Sequence, residues 1–261
     1  MATRKRKTAE KPITSLAAFA RRVEDVTLSW APDREFDPWF RGHGSTDWPL
    51  VPGIYRTDEI LEEDNYREDF KLRALPYLIG SAREPTSEWE WYFLMQHYGL
   101  PTRLLDWTRS ALVALYFAVR DSNLKSNAAV WVLDPWSLNH RVARKAFLYS
   151  ANDRGVQGYL REPFSNRKLP RFPIALEAAF NSPRIAAQRG CFTLHGVARK
   201  ALDKYADLRS RLLKIEIART RISEIREQLR VIGITETSVF PELSGLCYEL
   251  RDYWVPRQNL V

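Results

Sequence analysis

The stretch LLDWTRSALVALYFAV, Leu104 to Val119, decides the fold. It is the most apolar part of the chain, but Asp106 and Arg109 leave an uncharged run too short to cross a bilayer. It therefore reads as an extended piece, TRLLDWT (Thr102–Thr108), followed by a buried helix over Ser110–Asp121. On its N-terminal side, EWEWYFLMQHYGL (Glu88–Leu100) predicts a helix stopped by Gly99 and Pro101. On its C-terminal side, AAVWVLDP (Ala128–Pro135) has the Val/Trp enrichment and Asp-Pro ending of a strand.

Further towards the start, SLAAFARRVEDV (Ser15–Val26) has apolar residues at helical spacing behind a capping Ser, and WFRGHG (Trp39–Gly44) forms the first strand after a Pro-marked break. Pro49, Pro52 and Gly53 mark a loop. ILEEDNYREDFKLRALPYL (Ile60–Leu78) is a helix with acidic residues early and basic ones later, as the macrodipole favours. The polar, basic segment from Ser137 to Phe172 has no clear period and is expected as a surface insertion or mobile loop. IAAQRGCFTLHG (Ile185–Gly196) and RLLKIEIA (Arg211–Ala218) read as strands. A helix capped at Thr220 or Ser223 follows, and SVFPELSGLCYELRDYW gives a last helix after Pro241. Helices come first and strands dominate the middle and end. The expectation is an α+β fold, one domain over residues 13–258 with a mixed or antiparallel split sheet flanked by helices, behind a basic, disordered tail over residues 1–12.

The 261 residues are 45% hydrophobic and 28% charged, with nine Trp, which excludes disorder and fills a core. Arg4, Lys5, Arg6 and Lys7 precede no apolar h-region, so a cytoplasmic rather than a secreted protein is expected. Cys191 and Cys247 sit in no Cys/His cluster and are expected to be buried; the four His residues offer no metal-binding spacing. No GxSxG elbow, Walker loop or GxGxxG fingerprint is present. Forty basic residues against thirty-two acidic give +8, which favours a polyanionic partner such as nucleic acid, or serves solubility alone. Between Arg141 and Arg171, basic residues interleave with Phe147, Tyr149, Tyr159 and Phe164, a composition suited to single strands or to a solvated loop with aromatics tucked under it.

WFRGHG, QHYGLPTRLLDWTRSALVALYFAV, SPRIAAQRGCFTLHG and GITETSVFPELSGL together resemble the FRG domain, named for its Phe-Arg-Gly, over roughly Asp37 to Leu250. The chain is also similar to the NAD-dependent ADP-ribosyltransferase fold. That fold carries an aromatic-Arg on one strand, a Ser/Thr cluster followed by an AxxF helix on a second, and an acidic or amide residue on a third. Here these are Phe40-Arg41-Gly42, then Asp106-Trp107-Thr108-Arg109-Ser110 with Ala114 and Phe117, then Gln188-Arg189-Gly190.

The similarity implies NAD as substrate and a toxin or phage-defence effector that modifies nucleic acid or protein, with a neutralising antitoxin protein to protect its own cell. Cleaving nicotinamide from ribose passes through an oxocarbenium-like cation, so the site must grip phosphate, clamp the amide and place a polar group beside the ribose. Arg41 suits phosphate or ribose, with Gly42 and Gly44 admitting the backbone; its alternative is an Arg–carboxylate pair ordering the turn. Thr108 and Ser110, one of them oriented by Asp106, would shape the nicotinamide slot, or Thr108 caps the following helix. His97 and Tyr98 would stack on or hydrogen-bond a ring, or serve structure alone. Gln188 stands where catalytic members place Glu, so it supplies the hydrogen bond without the charge, and Asp106 and Glu177 are the carboxylates nearest the motifs. The alternative reading is a non-catalytic nucleotide- or nucleic-acid-binding module with the same pocket.

Overall fold

In the computed structural model, residues 11–30, 37–56, 63–78, 84–144, 146–160, 168–178 and 182–255 are described, so most of the expected tail, and Phe164, lie outside them. The helices and strands in chain order are α1 (Leu16–Trp30), β1 (Trp39–His43), α2 (Glu63–Ala74), α3 (Glu88–His97), β2 (Leu104–Thr108), α4 (Ala111–Arg120), β3 (Ala128–Leu133) and α5 (Pro135–Ala143). After these come α6 (Arg154–Gln157), β4 (Ile174–Glu177), α7 (Pro183–Gln188), β5 (Gly190–Leu194), β6 (Leu212–Ile217), α8 (Ile222–Val231), α9 (Glu236–Val239) and α10 (Leu243–Trp254). The class is α+β, and neighbouring strands run β1-β3-β6 and β4-β5-β2. The chain divides into two compact units, residues 1–48, 111–132 and 213–261 in the first and residues 49–110 and 133–212 in the second.

In the first unit, α4 lies on β1. Strand alternation puts Phe40, Gly42 and Gly44 on one side of β1. A Cβ on Gly42 would stand 2.0 Å from the Ala114 carbonyl oxygen, and one on Gly44 would stand 2.3 Å from that of Asp121. These glycines therefore admit the backbone of α4. Phe40, Val113, Leu115, Val130, Ile215, Ile222, Ile225 and Phe240 join one core around this contact. Ser15 caps α1 as expected, its hydroxyl accepting the Ala18 amide at 3.2 Å. Thr220 and Ser223 do not cap α8. Residues Arg219–Arg221 form a single 3-10 turn that runs into the helix without a side-chain cap. α10 is exposed over most of its surface, and this places Cys247 in solvent, against expectation, while Cys191 on β5 is buried.

In the second unit, β5 pairs antiparallel with β2, Thr108 opposite Gly190, and with β4, Glu177 opposite Cys191. Helix α3 starts at a capping box in which Ser87 and Glu90 satisfy each other's amides. Among the described residues, the segment from Ser137 to Phe172, expected as a surface insertion or mobile loop, carries most of α5 and all of α6. Asp134 caps α5 with Pro135 in its first turn, and buried Asn139 donates to the Phe147 and Ala175 carbonyls and accepts the Ala175 amide, tying the helix to β4. Tyr149, Val156 and Tyr159 are core residues beside Trp89, Phe93 and Phe192. Their burial removes Tyr149 and Tyr159 from any stacking surface.

A charged network sits at the base of this core. Arg103 and Glu63 are 0% and 2% exposed and form an ion pair. The Glu63 carboxylate also accepts from the Tyr92 hydroxyl and, at 3.0 Å, from the Arg103 amide. Arg103 donates onward to the Tyr159 and His195 carbonyls. Burial alone would lower the Arg103 pKa, but the adjacent Glu63 charge raises it, so the guanidinium stays charged.

Candidate functional site

The second unit brings two of the expected motifs together. Thr108, the last residue of β2, donates its hydroxyl to the Gln188 carbonyl at 2.6 Å and accepts the Ser110 amide at 2.9 Å. One buried side chain thus ties β2 to the turn before β5 and holds the entry to α4. Gln188 is not on a strand. Ser182 accepts the Ile185 amide, Pro183 opens a short helix, and Gln188 is that helix's last residue, followed by Arg189 at φ 48°. The Ser-Pro start carries the signal for this helix, and it overrides the alternation read through Ile185–Gly196. The Arg109 amide bonds the Arg189 carbonyl at 3.1 Å and closes the same turn.

Asp106 lies exposed on β2, and the Gln96 side-chain amide bonds both its carboxylate oxygens, at 3.0 and 3.1 Å. Gln96 also accepts from the Thr102 hydroxyl. Gln96 therefore connects the end of α3 to β2, a role not read from the sequence although it stands beside His97. His97 ends α3 with its ring edge-on to Tyr98 at 5.0 Å, and Tyr98 is 69% exposed. Glu177 forms an ion pair with Arg109 across β4, β5 and β2.

On the other face of β2, the Trp107 indole donates to Thr193 at 3.0 Å, and Thr193 meets His195 at 3.2 Å. All three are buried. Cys191, also buried, has its thiol pKa raised well above the ordinary value by burial, which makes it a poor nucleophile.

Arg41 belongs to the first unit. It alternates with Phe40 and Gly42, so it leaves β1 on the side away from α4, and its Nε donates to His43 Nε2 at 3.1 Å. His43 is buried with its ring edge on Trp48. Burial pushes the Asp121 carboxyl above its ordinary value, while the guanidiniums of Arg120 and Arg41 pull it down. Arg41 thus already feels a carboxylate in its own unit.

Among the described residues, no group of three or more His, Cys, Asp or Glu is placed to hold a metal, and no helix is long and apolar enough to cross a membrane. No curated protein and no solved structure matches the chain. A family model matches part of the chain; the late motifs around Gln188 and Phe240 fall outside it, whereas Arg41, Asp106, Thr108 and Ser110 fall inside it. That family is the FRG domain, and residues 37–127, from the approach to β1 to the start of β3, are the part of the chain that matches it.

Proposed function

We propose that the protein transfers ADP-ribose from NAD to an acceptor, with Arg41 binding phosphate or ribose, Thr108 and Ser110 shaping the nicotinamide slot and Gln188 reaching the ribose hydroxyls. The observation that carries this reading is the 2.6 Å bond from the Thr108 hydroxyl to the Gln188 carbonyl. It fixes the hydroxyl motif and the amide motif to each other within one unit, as a site made of both requires. The formal charge of +8 favours nucleic acid as the acceptor. In this reading the product is a toxin or defence effector, and its own cell needs a neutralising partner.

A second reading, a pocket that binds nucleotide without turnover, is favoured by the carboxylates. Gln188 is neutral, Asp106 is held by Gln96, and Glu177 is paired with Arg109. One assay separates the two: incubate the protein with radiolabelled NAD and mixed nucleic-acid and protein acceptors, then measure nicotinamide release and label transfer. Transfer that falls at least tenfold in Arg41→Ala and in Thr108→Val supports the transferase. NAD binding without transfer to any acceptor gives the binding module, and transfer indifferent to both substitutions removes this site.

A further inference from the structure

In the second unit, two loops that are far apart in sequence lie side by side and carry most of their charge as cations. The Val197 amide bonds the Pro170 carbonyl at 3.0 Å, and the Ala198 amide bonds that of Arg171 at 3.3 Å. Gly196 is required there, because a Cβ would stand 2.1 Å from the Pro170 oxygen. Tyr55 pins the second loop by donating its hydroxyl to the Gly196 carbonyl, and Arg199 in the same loop takes φ 47°. The loops are therefore built to a fixed shape before any ligand arrives.

They carry exposed Lys168, Arg171, Arg199, Lys200 and Lys204 and two aromatic rings, Phe172 and Tyr205. The Arg141 guanidinium sits between those rings, 4.6 Å from the Phe172 centroid and 4.4 Å from that of Tyr205, and Lys200 Nζ is 4.7 Å from Tyr205. Asp207 pairs with Arg141 and Asp203 with Lys204, and these two carboxylates leave the patch positive. Among the described residues, Arg171 and Lys200 take part in no ion pair. Tyr205 is buried, but Phe172 is 41% exposed, so one aromatic surface is open to solvent amid the cations.

We propose that this patch binds single-stranded nucleic acid, with Arg171 and Lys200 on backbone phosphates and an unpaired base stacked on Phe172. Phosphate alone would need only the cations; the open ring amid them is what favours an unpaired base over a duplex or an acidic peptide. The patch deepens the reading of a nucleic-acid acceptor by placing where that acceptor docks. It rests on that reading only for its purpose, because binding is measured without NAD.

The test is fluorescence anisotropy at low salt with a labelled oligouridylate of about 20 nucleotides, the matching RNA duplex and inorganic polyphosphate, on the full chain. The double variant Arg171→Glu/Lys200→Glu is expected to weaken oligouridylate binding at least tenfold. A control with the same charge change in the first unit, Arg221→Glu/Arg230→Glu, is expected to weaken it much less. Phe172→Leu, which keeps apolar bulk and so the fold, is expected to weaken oligouridylate about fivefold or more and leave polyphosphate unchanged. The proposal fails if the double variant loses no more than the control, if Phe172→Leu leaves oligouridylate binding unchanged, or if duplex binds as tightly as single strand. None of these results depends on NAD transfer, so the binding surface and the transferase reading stand or fall separately.

Discussion

Replacing Glu63 by Gln tests the buried charge network. The substitution preserves shape and still offers an acceptor, but it leaves the Arg103 guanidinium, 0% exposed, without its counter-charge. Breaking one side of a buried pair costs about 3–5 kcal/mol, against about 5–15 kcal/mol of total stability for a typical domain. The Tyr92 hydroxyl and the Arg103 amide, both bonded to the same carboxylate, add to the loss. Urea unfolding at pH 7, followed by Trp fluorescence, should show the midpoint falling steeply with the slope unchanged. The double variant Glu63→Leu/Arg103→Met, which removes both charges, should recover most of the loss. A Glu63→Gln protein within about 1 kcal/mol of wild type would refute the reasoning, because the bulk of the attraction would then have to come from neutral hydrogen bonds.

Two further outcomes follow from the geometry. Gly42→Ala should destabilise the first unit by at least about 1–3 kcal/mol, the overpacking range, because the methyl meets helix backbone that has no rotamer to yield; thermal unfolding reads this directly. On α10, burial pushes the Glu249 carboxyl up, but the Thr237 hydroxyl and amide, with the Thr235 hydroxyl, outweigh it and hold the pKa below its ordinary 4.5. A depressed carboxylate contributes stability above the unfolded value and loses it as pH falls through the folded one. Wild type should therefore exceed Glu249→Gln by about 1 kcal/mol at pH 7, and the gap in urea midpoints should close below pH 4.5.

Where local chemistry sufficed, the sequence was legible. Ser15 announces α1, the Gly99 and Pro101 stop bounds α3, and the charge break at Asp106 and Arg109 separates β2 from α4. Two local signals were present and outweighed. Asp134-Pro135 reads both as a strand ending and as a helix cap, and here it is both; Ser182-Pro183 starts a helix in a stretch whose alternation suggested strand. The site was less legible because its decisive bonds are long-range. Thr108 and Gln188 are 80 residues apart and Glu63 and Arg103 are 40 apart, and no periodicity encodes either pairing. The burial of Tyr149 and Tyr159 is likewise tertiary, set by α5 and β4 closing over a segment that looks polar in one dimension.

Phe40, Gly42 and Gly44 act together as a keyway. One bulky residue followed by two positions without side chains fits the backbone of α4 in a single alignment, and a slip of β1 by one residue would drive Arg41 and His43 into the Ala114 and Asp121 carbonyls. The Phe-Arg-Gly triplet is thus a self-indexing device: its glycine aims the arginine, fixing which face Arg41 leaves from before any ligand is present.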